Sequence, residues 1–211
     1  MVTAPTPALY TAYNLAYDYF NEKLWDSRLP PVILTFSIKN KKTMGYHYAD
    51  KWSCPETGAT ATEIALNPDY LTDRPLVDVL STLVHEMAHH WQYRFADRPR
   101  AGYHDRQWGA HMKSIGLHPS NTGQPGGKET GQGMSHYIIQ DGPYAMAFRS
   151  LPDEAALPWV AAFADKRREV KRPSKVSYYC GCRRFQAKAG LSEVICGICG
   201  EEFEQHSPSP V

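Results

Sequence analysis

The string His85-Glu86-Met87-Ala88-His89 constrains this chain more than any other feature in it. Two histidines four residues apart on a helix project from one face, so their imidazoles can grip a single metal ion. A glutamate directly after the first histidine can reach a water on that metal as general base. The string therefore has to be helical, and its flanks agree. Asp73-Arg74-Pro75 offers an N-cap candidate with proline in the first turn, followed by Leu76, Leu80, Leu83, Val84 and Met87 at helical spacing. The pattern predicts a helix that continues through Trp91 to Phe95 and stops before Asp97-Arg98-Pro99. Two imidazoles on an otherwise apolar face are costly to desolvate unless something binds them, and zinc does that.

A catalytic zinc takes three protein ligands and leaves a fourth position to water. His90 points about 100° around the helix from His89 and is a poor third ligand. A His-x-x-Gly-x-x-His continuation would need glycine and histidine where the chain has Gln92 and Phe95, and the next glutamate downstream, Glu129, lies in a glycine-rich stretch. His104, by contrast, precedes a helical pattern of Trp108, Met112 and Ile115 with a Gly116 stop, and from there it can fold back to the metal. His104 is the expected third ligand. His111, one heptad further, is the runner-up.

The run from His85 through Trp91-Gln92, the His104 segment with its aromatic and Ile115-Gly116-Leu117, and a C-terminal cysteine cluster resemble the SprT-like metallopeptidases. That family includes metazoan Spartan. The resemblance spans residues 10–118 and then 178–204. It implies that His85, His89 and His104 ligate zinc and that Glu86 is catalytic. Two positions depart from the family pattern: Asp105 stands where a glycine often follows the third histidine, and Trp108 is followed by Gly109 rather than a second aromatic. Asp105 has two readings, one orienting a ligand imidazole through its free N–H, the other a carboxylate favoured at a helix N-terminus.

Cys180-Gly-Cys182 and Cys196-Gly-Ile-Cys199-Gly are separated by 13 residues that read as a hairpin around Lys188-Ala-Gly190. This is the pattern of a four-thiolate zinc ribbon with a first half one residue short, so a looser site is expected. The zinc complement is thus one catalytic ion and one structural ion. Met1-Val-Thr-Ala-Pro is uncharged and leads into no apolar run, so disulfides are the weaker explanation and a cytoplasmic protein, nucleoid-associated in a bacterium, is expected. Cys54 reads as a lone thiol.

A chain of 211 residues, 42% hydrophobic, can bury one core and carry a small metal-stapled module. It holds no run long enough to span a bilayer, so no membrane partner is expected. The net charge of +1 excludes a global field for nucleic acid, but the distribution is uneven. Lys166, Arg167, Arg168, Lys171, Arg172, Lys175, Arg183, Arg184 and Lys188 face a single acid, Glu169, with Tyr178, Tyr179 and Phe185 interleaved. Basic side chains beside aromatics suit a single-strand platform, and a solvated linker helix with ribbon core aromatics fits the same composition equally well. Because the zinc-binding module of Spartan contacts DNA, the resemblance favours nucleic-acid binding, single-stranded or at a junction.

Thr6-Pro7 opens a helix with Leu9, Tyr13, Ala16, Phe20 and Leu24 on one face, and strand-like runs follow at 32–38, 43–48 and 61–67. These would form a small antiparallel sheet, the last strand offering its edge to an extended substrate. Residues 119–133, rich in glycine and polar groups, read as a flexible loop between modules. Behind them, His136 or Tyr137 on a strand could donate to an oxyanion, though a structural strand role is the stronger reading. The expected architecture is α+β: a minimal zincin-type metallopeptidase domain at 1–118, helices on a small mainly antiparallel sheet. A glycine-rich loop and strand connector (119–150), a basic linker helix (151–175) and a zinc ribbon with tail (176–211) then follow.

The expected function is a monomeric zinc-dependent endopeptidase acting on protein substrates, DNA-associated or DNA-crosslinked ones by the resemblance. Two other classes stay open: a non-catalytic DNA-binding or regulatory zinc protein, and a zinc hydrolase of a non-peptide substrate.

Overall fold

Pro5 starts helix α1 (Pro5–Trp25), where a proline in the first turn forfeits no hydrogen bond. The computed structural model of the chain describes residues 4–38, 43–72, 74–98, 100–160, 176–180, 182–188 and 190–206. α1 buries Tyr13, Ala16, Tyr17, Phe20 and Trp25, while Leu9 and Leu24 from the predicted face sit half-buried at its margin. It ends at Asp26, left-handed at φ 52. Buried Asn21 then clamps the exit turn: its Nδ2 donates to the Leu29 carbonyl and its Oδ1 accepts the Leu29 N–H, both at 3.0 Å.

Three strands follow, β1 (Ile33–Phe36), β2 (Gly45–Ser53) and β3 (Thr60–Leu66), in the spatial order β1-β3-β2. β2 pairs antiparallel with β3, as expected, but β1 pairs parallel with it. The chain passes from β1 to the far edge before returning through the middle, and that crossover makes β3 run in the direction of β1. β3 is therefore the central strand, with Ile64, Ala65 and Leu66 buried. Its edges are both paired, so the expectation that β3 offers an edge to substrate is corrected. β2 holds an outer edge instead.

Helix α2 (Leu76–Phe95) carries Leu80, Leu83, Val84 and Met87 into the core against α1 and β3. Each such fully buried side chain contributes about 1.5–3 kcal/mol. The helix ends where predicted, and Pro75 occupies its N-cap. The N-cap proposed from sequence, Asp73, lies outside the described residues. Asp105 caps helix α3 (Arg106–Ser114), its carboxylate accepting the Trp108 N–H at 2.9 Å. Gly116 stops the segment at φ +91, and a Cβ there would lie 2.7 Å from the backbone nitrogen of Tyr144, so only glycine fits.

The chain continues into a hairpin of β4 (Leu117–Ser120) and β5 (Ser135–Ile138), then helix α4 (Pro143–Arg149). Residues 119–133 are not a linker between modules. Ser120 is buried, its Oγ donates to the Gln124 carbonyl, Asn121 and Lys128 are cross-bonded, and Lys113 pairs with Glu129 at 2.6 Å. Glycine and polar residues here satisfy one another's backbone groups across a tight loop, which composition alone reads as looseness. The first compact unit accordingly runs to Ala164, beyond the boundary expected at residue 118.

The second unit, Asp165–Val211, contains β6 (Val176–Tyr179), β7 (Arg184–Ala187) and β8 (Glu204–His206), antiparallel in the order β7-β6-β8. The hairpin predicted around Lys188 is corrected. β6 and β7 form the hairpin with the first cysteine pair at its turn, and an Ile195–Glu202 bridge closes the second pair. Each cysteine pair is thus the tip of its own turn. Tyr178 is buried against Phe185, which meets Phe203 edge-on, so two of the aromatics read as stacking candidates are core, while Tyr179 is exposed. The fold as a whole is α+β. Among the described residues no helix is long and apolar enough to cross a membrane.

Candidate metal centre and its cleft

α2 presents His85 and His89 one turn apart, and the N-terminal approach to α3 brings in His104. One nitrogen from each lies within 4.8 Å of the other two. The Nε2 atoms of His89 and His104 are 3.0 Å apart, near the roughly 3.3 Å edge of a tetrahedron with metal–nitrogen bonds of about 2.0 Å. The donor set fits zinc. Burial, with the neighbouring imidazoles, holds His85 and His89 well below the usual histidine range, and burial lowers His104 as well, which favours the neutral imidazoles that ligation requires.

The glycine-rich loop places the third histidine. His104 and Gly131 exchange backbone hydrogen bonds of 2.8 and 3.1 Å, and the His104 ring Nδ1 lies 3.1 Å from the Gly131 carbonyl. A carbonyl only accepts, so Nδ1 carries the hydrogen and Nε2 keeps its lone pair toward His89. Asp105 takes the helix-capping role of its two readings, and it also receives both short contacts from the Gln92 amide at 3.0 Å. Gln92, one turn beyond His89 on the facing side of α2, thereby ties the two histidine-bearing segments together.

Trp108 forms the floor. It is fully buried, stacks on His89 at 5.0 Å and meets His85 and His104 edge-on at 4.9 and 4.5 Å. The runner-up ligand His111 is engaged elsewhere: Trp25 Nε1 donates to its Nε2 at 2.8 Å and Trp91 stacks on its ring. His90, the rejected candidate, donates from Nε2 to the Pro30 carbonyl at 3.2 Å.

Glu86 is buried and lines the same cleft of about 780 Å³ as the three histidines. One wall of that cleft is Thr43 and Met44 with the β2 residues Gly45 to Ala49, and the others come from Arg98, from Arg100 to His104 and from Gln132 to His136. A register shift between Tyr48 and Trp52 bulges β2, and Asp50 at the bulge, left-handed at φ 48, accepts hydrogen bonds from Tyr93 and Arg94 of α2. The edge strand is thus pinned beside the metal helix. Composition carried no signal for this bulge. His47, on the same strand, also escaped sequence reasoning; it sits 6.3 Å ring-to-ring from His89. Of the pair considered as oxyanion donors, His136 lies in the cleft and Tyr137 stacks on His118 instead.

The four cysteine sulfurs converge equally well. Cys182 Sγ lies 3.5, 3.5 and 3.4 Å from those of Cys180, Cys196 and Cys199. These separations sit near the roughly 3.8 Å edge of a zinc–tetrathiolate, and they are far from a disulfide bond of about 2.05 Å. The short first half still brings its two sulfurs to 3.5 Å. Backbone N–H groups of Cys199 and Ile198 pull the Cys196 thiol down to about 6, while hydrogen bonds with the other three sulfurs push Cys182 up to about 12, so the cluster as a whole shares its protons. Of the basic residues proposed for nucleic acid, Arg183, Arg184 and Lys188 are exposed beside this cluster. Arg167, Arg168, Lys171, Arg172 and Lys175 lie outside the described residues. Cys54 is exposed and free.

Buried neutral histidines make the metal-free protein acid-sensitive. Burial lowers His90, His111 and His136 to about 4 and His47 to about 3, against 6.5 in an unfolded chain. The unfolded state therefore binds more protons across this window, so stability is intact above pH 6.5 and falls as pH drops toward 4. Fully buried His90 alone would cost about 3 kcal/mol. Thermal melts of chelator-treated protein at pH 7.5 and pH 5 check this. A melting temperature unchanged at pH 5 would contradict it.

The sequence model of the SprT-like family matches residues 13–125, which reach from the core of α1 through both histidine segments. A Salmonella typhimurium relative, described as an uncharacterized protein in the mucB 3' region, is 41% identical over 63 residues. That stretch is 30% of this chain and 84% of the relative.

Proposed function

The chain belongs to the SprT-like family, and from that premise we propose that it is a zinc-dependent endopeptidase. The observation that carries the reading is the convergence of His85, His89 and His104 beside Glu86 in a cleft walled by a strand edge. In this reading the first unit is a minimal zincin-type domain and the second a zinc ribbon held by Cys180, Cys182, Cys196 and Cys199.

His85, His89 and His104 would hold the catalytic ion. Zinc, when bound, acidifies water and polarises a peptide carbonyl. The rest is done by the chain itself. The Glu86 carboxylate takes the proton of the attacking water, holds it, and returns it to the departing amine nitrogen. The β2 edge pairs with an extended substrate by main-chain hydrogen bonds, which gives position with little side-chain preference. A wall from Thr43 to Ala49 suits an extended polypeptide better than a compact small molecule.

The substrate we propose is protein attached to or sitting on DNA, single-stranded or at a junction, in the cytoplasm or at the nucleoid of a bacterium. Support comes from exposed Arg183, Arg184, Lys188 and Tyr179 on the second unit and from Arg98 and Arg100 at the cleft. Arg167, Arg168, Lys171, Arg172 and Lys175, outside the described residues, would add positive charge to the second unit. The test is cleavage of a protein crosslinked to single-stranded DNA, set against the same protein without DNA. Faster cutting of the crosslinked form, lost with rising salt, is expected. Equal cutting of both would remove DNA from the proposal and keep the peptidase.

Gly45 supplies a sharper check on the cleft. A Cβ there would lie 3.0 Å from the Ala65 carbonyl and the Thr82 methyl, and 3.1 Å from Glu86 Oε1. Gly45→Ala is expected to push the carboxylate off position and lower kcat/KM tenfold to roughly a hundredfold, with zinc content unchanged. Wild-type kinetics in this variant would mean that Glu86 tolerates displacement, against its role as base.

A further inference from the structure

His136 on β5 lies against the first metal histidine, and its two ring nitrogens are both engaged. Nδ1 is 3.0 Å from Nδ1 of His85, and Nε2 is 2.8 Å from the buried Ser81 Oγ. Ser81 fixes the direction of this chain, because its single hydroxyl hydrogen goes to the Asp78 carbonyl at 2.8 Å. Ser81 Oγ must therefore accept from His136, which places the His136 hydrogen on Nε2 and leaves Nδ1 as an acceptor. His85 can meet that acceptor only by donating from its own Nδ1, and its Nε2 is then left with a free lone pair. His104 reaches the same state through the Gly131 carbonyl.

We propose that His136 is a positioning residue for the metal site: with Ser81 it forms a one-way hydrogen-bond relay that locks His85 in its ligating tautomer. The relay runs from Asp78 and Ser81 on the first turns of α2, across to β5, and back to His85 one turn further along α2. It makes the β4–β5 hairpin, distant in sequence from the histidine string, part of the ligand assembly. His136 is not one of the three nitrogens that converge, and its engagement by Ser81 and His85 excludes it as the oxyanion donor. The proposal rests on the reading that His85, His89 and His104 hold zinc. A metal-bound histidine needs its other N–H held by an acceptor, and loss of such a partner weakens metal affinity.

Two measurements on the full chain decide it. Long-range nitrogen–proton NMR of the metal-free protein reads tautomers directly, and the relay requires His85 as the Nδ1–H form and His136 as the Nε2–H form. The reverse assignment overturns the proposal. Zinc affinity is measured by chelator competition for wild type, His136→Leu and His136→Gln. His136→Leu is expected to raise the zinc Kd 10- to 100-fold, whereas glutamine, which keeps an oxygen acceptor, restores affinity to within a few-fold of wild type. An unchanged Kd in His136→Leu overturns the relay. So does a glutamine variant as weak as leucine with an unaltered metal-free melting temperature, since an oxygen acceptor at position 136 then does nothing for zinc affinity. Failure of the wild type to bind zinc would instead sink the metallopeptidase reading, and the tautomer assignment would still judge the relay.

Discussion

Glu86→Gln is expected to abolish peptide cleavage while leaving the zinc in place. Glutamine matches glutamate in shape, so the close approach of this side chain to Gly45 is preserved. The amide cannot accept a proton from water and return it to an amine, so the variant loses the general-base contribution, roughly a hundredfold to ten-thousandfold in rate. The loss should fall on kcat with little change in KM, because substrate pairing with the β2 edge does not involve this side chain. Zinc content measured beside the kinetics separates two ways of failing. An inactive protein that has lost its metal says that the substitution disturbed His85 or His89, one residue and three residues away. Full activity in Glu86→Gln would exclude the carboxylate as base. If neither wild type nor variant cuts unfolded protein, yet both bind DNA, a non-catalytic zinc protein becomes the better reading.

The parts of the site that were legible in sequence are those set by short spacing. His85, Glu86 and His89 share a helix whose apolar periodicity, closing at Phe95, was plain, and His104 could be chosen because a helix start followed it. Cys180, Cys182, Cys196 and Cys199 were found in the same way. What stayed hidden depends on long-range pairing. The parallel β1–β3 pair, and with it the central position of β3, follows from a crossover that no local pattern encodes. The glycine-rich stretch looked like a linker because glycine marks both loose chain and tight turns. Its bond from the His104 ring to the Gly131 carbonyl joins residues 27 apart. His136 was visible as a histidine near an expected strand, but its partners Ser81 and His85 lie more than fifty residues away. Short spacing makes the converging histidines and cysteines visible; long-range topology decides which side chains lie against them.

Glu63 is the clearest case of a residue that sequence reading passed over, and its removal is expected to destabilise the first unit strongly. It sits on the central strand with its side chain 2% exposed, where an unpaired carboxylate would be prohibitive. Four donors surround it: Thr35 Oγ1 at 2.9 Å, Tyr46 OH at 2.7 Å, Trp52 Nε1 at 2.8 Å, and the Lys51 ammonium. Burial by itself would raise its pKa, but hydrogen bonds from Lys51, Tyr46, Thr35 and Trp52 outweigh burial and hold it below the usual range. Its contribution is thus present at neutral pH and lost as pH falls through that depressed value. Because Thr35 belongs to β1 and Tyr46 and Trp52 to β2, one carboxylate staples both neighbours to β3, on either side of the β2 bulge. Glu63→Ala strands the half-buried Thr35 and Tyr46 hydroxyls, at a cost of about 1–3 kcal/mol for each unsatisfied donor, while Trp52, 43% exposed, can turn its N–H to water. Lys51 is exposed enough to turn to water and adds little to that loss. The melting temperature of the first unit should drop by about 10 °C. Glu63→Gln, which keeps one oxygen acceptor, should lose less. Activity should fall with stability, since the freed β2 edge is the wall on which substrate is proposed to lie. An alanine variant that melts with the wild type would mean that water replaces the carboxylate at no cost, and the three strands would need another account of their register.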